Sequence, residues 1–72
     1  MTVDTLVLDA IANLPDRTER ELAVAIYGLG DGYQQRVNGS CRYLAKEGYI
    51  NRNGRGGLRD PFTYTLTGKL YA

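Results

Sequence analysis

From Tyr33 the chain runs Tyr33-Gln34-Gln35-Arg36-Val37-Asn38-Gly39-Ser40-Cys41-Arg42-Tyr43-Leu44-Ala45-Lys46-Glu47-Gly48. Tyr33, Val37, Cys41, Leu44 and Gly48 follow one another at steps of four, four, three and four. That is the repeat of a single helix face. Gly48 stands where a glycine commonly terminates a helix. Just upstream, Asp31 offers an N-cap, with Gln34 three residues on. The stretch predicts a helix over about 31–47. Its far side, about 180° from Val37 at about 100° per residue, carries Gln35, Gly39, Arg42 and Lys46, flanked by Arg36, Asn38 and Tyr43.

Two shorter helices precede it. Val3, Val7, Ala10, Ile11 and Leu14 share one face, widened by Leu6 and Leu8, and Pro15 stops the run because the residue before a proline avoids the α region. This predicts a helix over about 3–14. Pro15-Asp16-Arg17 is then a loop or a very short strand. Thr18-Glu19-Arg20-Glu21 has the form of a capping box, in which the Thr18 hydroxyl and the Glu21 carboxylate each satisfy the other's backbone N–H. Leu22, Ala23 and Ile26 form the apolar face that follows, and Gly28-Leu29-Gly30 ends it. A second helix is expected over about 18–28.

After Gly48 the pattern changes period. Tyr49-Ile50-Asn51-Arg52 suits a short strand, Asn53-Gly54-Arg55-Gly56-Gly57 is a turn cluster with a strong hairpin signal, and Phe62, Tyr64 and Leu66 alternate with Thr63 and Thr65. Pro61 fits only the start or edge of a strand. A hairpin over about 49–66 is expected. Three helices followed by a basic hairpin is the order of a winged helix-turn-helix. The expected fold class is α+β, mainly α, as one domain over 1–72. The expected core is Val7, Ile11, Leu14, Leu22, Ile26, Val37, Cys41, Leu44, Ile50 and Leu66. Most of the six tyrosines should sit at its edge with the hydroxyl in water. Tyr43 is the one expected to reach a partner.

Composition removes several classes of function. One cysteine precludes an intramolecular disulfide, and with no histidine a Cys/His zinc site is precluded too. Cys41, on the apolar stripe, is expected as a small core residue rather than a redox sensor. No nucleophile is paired with a base, so no enzyme is expected. The glycine-rich Asn53–Gly57 segment lacks the Lys-Ser/Thr ending and following helix of a phosphate loop. The opening residues lack a signal peptide's basic and apolar regions, and no stretch is long enough to span a membrane. A cytoplasmic protein is expected, with no cofactor, metal ion, membrane contact or small-molecule ligand.

Net charge is +1, but it is unevenly spread. Residues 1–33 set Asp4, Asp9, Asp16, Glu19, Glu21 and Asp31 against Arg17 and Arg20, for −4. Residues 34–72 set Arg36, Arg42, Lys46, Arg52, Arg55, Arg59 and Lys69 against Glu47 and Asp60, for +5. Such a split suits an anionic partner on one side.

The segment from Gln34 to Ile50 resembles the recognition helix of bacterial winged-helix regulators. A β-branched residue, Val37, stands seven before Leu44, Gly48 follows four later, and the aliphatic Ile50 enters the hairpin. Leu22-Ala23 behind the Thr18 cap fits the preceding helix of such proteins. Tyr64-Thr65-Leu66-Thr67 resembles the strand that closes the wing in MarR-like and related small regulators. The resemblance covers roughly 5–67. It implies double-stranded DNA as the partner and transcription regulation as the role, and similar small winged domains are also found attached to larger bacterial proteins.

The candidate DNA contacts are Gln34, Gln35, Arg36, Asn38, Gly39, Arg42, Tyr43 and Lys46 on the third helix. Arg52, Asn53, Arg55 and Arg59 are the candidates on the hairpin. Gln and Asn can bond adenine bidentately, and Arg can bond guanine. Wing arginines can clamp phosphates or enter a minor groove. Each has a plainer explanation, since any solvated helix face or hairpin tip carries such residues. Gly39 fits either close approach by a partner or an unselected surface position. The alternative to DNA binding is a protein-interaction adaptor docking through the acidic half around Asp4, Asp9, Glu19 and Glu21. RNA is a distant third, for want of a stacking cluster of surface aromatics. Both homodimerisation and attachment to a larger protein stay open.

Overall fold

The computed structural model describes residues 2–28 and 33–71. Three helices and a three-stranded antiparallel sheet make a small, mainly helical α+β fold. Helix α1 (Val3–Asn13) is capped by Thr2, whose hydroxyl accepts from the Thr5 amide at 3.3 Å. Asp16, at φ +62°, turns the chain into strand β1 (Arg17–Thr18), so the very short strand is what forms. Helix α2 (Glu19–Tyr27) opens on the expected capping box. The Glu21 amide donates to Thr18 Oγ1 at 3.2 Å, and the Thr18 amide donates to Glu21 Oε1 at 3.0 Å. The bond from the Thr18 backbone holds the Glu21 carboxyl below its usual pKa, helped by the Thr18 hydroxyl and by Arg17.

Helix α3 (Gln34–Lys46) begins later than expected. Tyr33 is its N-cap residue and makes no side-chain cap bond. Asp31 lies outside the described residues. Tyr33 instead stacks on Tyr27 at the end of α2, with ring centroids 4.4 Å apart, a geometry favoured by the ring quadrupoles. The other end of α3 follows the expected glycine stop. Gly48 takes φ +83°, its amide donates to Ala45 O at 3.1 Å, and the Tyr49 amide donates to Leu44 O at 2.9 Å. This pair of bonds closes a Schellman motif. It turns the chain directly into the sheet.

Strands β2 (Ile50–Asn53) and β3 (Thr63–Leu66) form the expected hairpin, with Ile50 opposite Leu66 and Asn53 opposite Thr63. Strand β1 adds on the other side of β3, giving the order β1-β3-β2. The Asp16 amide extends that pairing by donating to Tyr64 O at 3.0 Å. The central strand is therefore the one that closes the hairpin.

The buried core is Val7, Ile11, Leu22, Ala23, Val37, Cys41, Leu44, Ile50 and Tyr64. Three expected members are not in it. Leu14 is 39% exposed because it is the C-cap of α1, at φ −134°, and has left the helical stripe. Leu66 is 43% exposed because it ends β3. Ile26 is half-buried and packs against the core from its rim. Cys41 is a core residue, and burial pushes its thiol up to about 12, with Glu19 adding to the shift. No helix among the described residues is long and apolar enough to cross a membrane.

Tyr64 is the exception among the tyrosines. It is fully buried and its hydroxyl donates to Glu19 at the start of α2. Burial raises the phenol's pKa well above normal, and the neighbouring carboxylate raises it further, so the hydroxyl stays a donor. Tyr64→Phe removes that donor and leaves a half-buried carboxylate without it. The expected cost is about 1–3 kcal/mol in chemical denaturation. An unchanged midpoint and slope would show that the bond contributes nothing to holding the sheet on the helices.

Candidate nucleic-acid interface

The face of α3 turned away from the core has the expected make-up. Gln35, Arg36, Gly39, Arg42, Tyr43 and Lys46 are all exposed, while Val37, Ser40, Cys41 and Leu44 are buried on the opposite side. A Cβ at Gly39 would meet nothing within 4 Å, so the fold itself does not require glycine there, although glycine in mid-helix costs about 1 kcal/mol. Arg36 leans back over the Tyr33 ring, 5.9 Å from its centroid. Gln34 is half-buried. Asn38 is half-buried as well, and its Oδ1 is sealed from solvent without a hydrogen-bond partner among the described residues. A bidentate contact with adenine needs both amide atoms, so Asn38 is not set to make one.

The glycine-rich hairpin tip is tied by hydrogen bonds to one acidic residue. Asp60 organises it. Its carboxylate accepts from the Arg55 amide at 3.1 Å, and its backbone carbonyl accepts from the amides of Gly56 at 2.9 Å and Gly57 at 3.2 Å. Gly56 has φ +82°, and a Cβ there would lie 2.7 Å from Phe62 Cζ. Glycine is thus needed twice over, for its backbone conformation and for the ring packed against it. On the other strand, the Arg52 guanidinium stacks on the Phe62 ring at 4.4 Å.

This separates the four candidates on the hairpin. Arg52 is committed to Phe62. Asn53 donates to Thr65 Oγ1 at 3.3 Å across the sheet. Arg55 and Arg59 are exposed at the tip. Among the described residues the salt bridge is Arg17–Glu21, at 3.4 Å. Among the described residues, none of Arg36, Arg42, Lys46, Arg55 and Arg59 therefore has an acid within 4.0 Å to neutralise it.

A groove of about 660 Å³ joins the two regions. Its walls include Thr18, Glu19 and Arg20 from the start of α2, Gln34 from the start of α3, and Gly57, Leu58 and Phe62 from the hairpin. Arg20 entered the sequence reading only as a charge. Its position facing the hairpin depends on chain folding and has no local signature. Acids near the groove are occupied: Glu19 accepts from Tyr64, and Asp60 accepts from the Arg55 amide.

The acids that would make up an adaptor's docking face are also mostly engaged inside the fold. Asp4 accepts from Ser40 of α3 and, at 3.1 Å, from the Tyr71 hydroxyl. Glu21 closes the capping box. Among the described residues no group of three His, Cys, Asp or Glu side chains is placed to hold a metal ion. Compared with known proteins, the chain matches no family model, no curated protein and no solved structure.

Asp60 offers a direct check on the ordered tip. Asp60→Ala should speed hydrogen exchange at the Arg55 amide about fivefold, equivalent to losing a hydrogen bond of about 1 kcal/mol. Asp60→Asn, which keeps an acceptor, should change it less. Equal exchange in wild type and Asp60→Ala would show that the carboxylate does not hold the loop.

Proposed function

We propose that this chain is a winged helix-turn-helix domain that binds double-stranded DNA, with α3 in the major groove and the hairpin as the wing on the phosphate backbone. The observation that carries this reading is the set of cations on the exposed face of α3 and at the hairpin tip that have no acidic partner among the described residues. A polyanion compensates such charges, and the released counterions drive binding. Gln35 and Arg42 are the base readers, suited to adenine and guanine respectively. Arg36, Lys46, Arg55 and Arg59 meet phosphates, and Arg20 serves the backbone from the start of α2. Tyr43, 48% exposed, packs on the sugar-phosphate wall. Gly39 lets the backbone of α3 approach closely.

A single domain of this size makes few phosphate contacts. The expected affinity on nonspecific duplex is therefore in the range of about 10⁻⁴–10⁻⁶ M at physiological salt. Tight and selective binding, and with it transcription regulation, calls for a second copy or a tether to a larger protein. A second reading, the protein-interaction adaptor, draws on the shallow apolar surface formed by Leu8, Ala12, Leu66, Leu70 and Tyr71. Exposed apolar surface of this kind marks contact sites.

Fluorescence anisotropy with labelled duplex over a salt series separates the two. DNA binding predicts affinity that falls linearly in log–log form with salt. Arg55→Ala should lower the slope by about 0.9 on every sequence. Arg42→Ala should in addition flatten the preference at one base position by about 1–3 kcal/mol on a site selected by the wild type. Absence of any salt-dependent duplex binding would refute the DNA reading and leave the adaptor.

A further inference from the structure

Leu58 is the most exposed large apolar side chain in the described chain, at 105% of its reference area. It stands at the hairpin tip between Arg55 and Arg59. A leucine held fully in water adds nothing to the fold. Its surroundings nevertheless fix its position. The Asp60 carbonyl accepts from Gly56 and Gly57, and the Asp60 amide donates to Gly57 O at 3.2 Å, closing a tight loop around Leu58 and Arg59. Phe62 packs beneath Gly56, and Arg52 stacks on Phe62. Leu58 also lines the groove that opens toward Arg20 and Gln34.

We propose that Leu58 is a wedge that enters the minor groove of bound DNA and partly unstacks one base step. The proposal rests on the DNA-binding reading above and adds a distortion of the duplex to it. Three features together carry it. The apolar side chain stands fully in water, its loop is closed by internal hydrogen bonds, and cations stand on both sides of it in sequence. Arginines anchor on the phosphates that border a minor groove, and an apolar side chain between them can slide between bases, kinking the duplex toward the major groove. An ordered loop matters because a floppy one would lose entropy on insertion. The single nearby acid, Asp60, turns its carboxylate to the Arg55 amide and does not oppose the approach. Insertion is easiest at pyrimidine–purine steps, chiefly TA and CA/TG, which unstack readily. The wedge thus confers a preference at positions that no side chain reads by hydrogen bonding.

The test uses the full chain and a duplex carrying donor and acceptor dyes at its ends, with 2-aminopurine at a central TA step. Wild type should shorten the dye separation by a bend of about 20–90° and raise the 2-aminopurine emission as the base unstacks. Leu58→Ala should bind with the same salt slope but lose both signals, and Leu58→Phe should restore them. An exposed site makes misfolding of these variants avoidable, and matched circular dichroism melts check it. Wild type that binds with a normal salt slope but neither bends DNA nor brightens the probe overturns the wedge while leaving the DNA reading intact. So does Leu58→Ala that bends as wild type does. Binding to anionic lipid vesicles that Leu58→Ala abolishes, with unchanged duplex bending, would likewise overturn it. No salt-dependent duplex binding by wild type would refute the DNA reading on which the wedge rests.

Discussion

The hydrogen bond from the buried Tyr64 hydroxyl to Glu19 is the contact on which the rest of the molecule depends. Tyr64 belongs to the central strand, so both neighbours pair with it: Arg17 on one side and Arg52 on the other. Glu19 is the first residue of α2, immediately after the capping threonine. One side chain therefore fastens the sheet to the helices at the point where α2 begins. A hairpin alone is marginally stable in water. This one is stabilised by a third strand and by a phenol that fills the core while its oxygen is satisfied. The same contact fixes where the tip stands relative to α3, across the groove that runs between them.

Much of this was legible in the sequence because it is local. The capping box at Thr18, the Gly48 stop and the stripe from Val37 to Leu44 depend on neighbours within one or two turns, and the structure follows them. What stayed hidden depends on partners far along the chain. The period-two pattern placed Phe62, Tyr64 and Leu66 on one face, but could not say that helices cover only its middle. Tyr64 is buried as a result, Phe62 is half-buried and Leu66 is exposed. Leu14 kept its apolar character but lost the helical geometry that would have turned it inward.

The interface was legible in the same uneven way. Helical periodicity sufficed to sort the residues of α3, and its outward cations stand where they were expected. The hairpin was harder. Composition gave a glycine-rich turn carrying arginines, whereas Asp60, which entered the sequence reading only as one negative charge, ties the loop together through three amides. Arg52 counted as a phosphate contact by charge alone, but Phe62, beyond the turn, holds its guanidinium. Asn38 looked like a base reader by residue type, yet the helix turns part of its amide inward.

The central claim is that the exposed face of α3 and the hairpin tip form one anion-binding surface held in fixed relation by the Tyr64 contact. The most direct measurement is an amide-resolved NMR titration of the chain with a short duplex at low salt. The account predicts that signals of Gln35, Gly39, Arg42 and Lys46 move together with those of Arg55, Leu58 and Arg59, all following one dissociation curve. Shifts confined to α1 and the segment around Leu70, or separate curves for α3 and the tip, would contradict it.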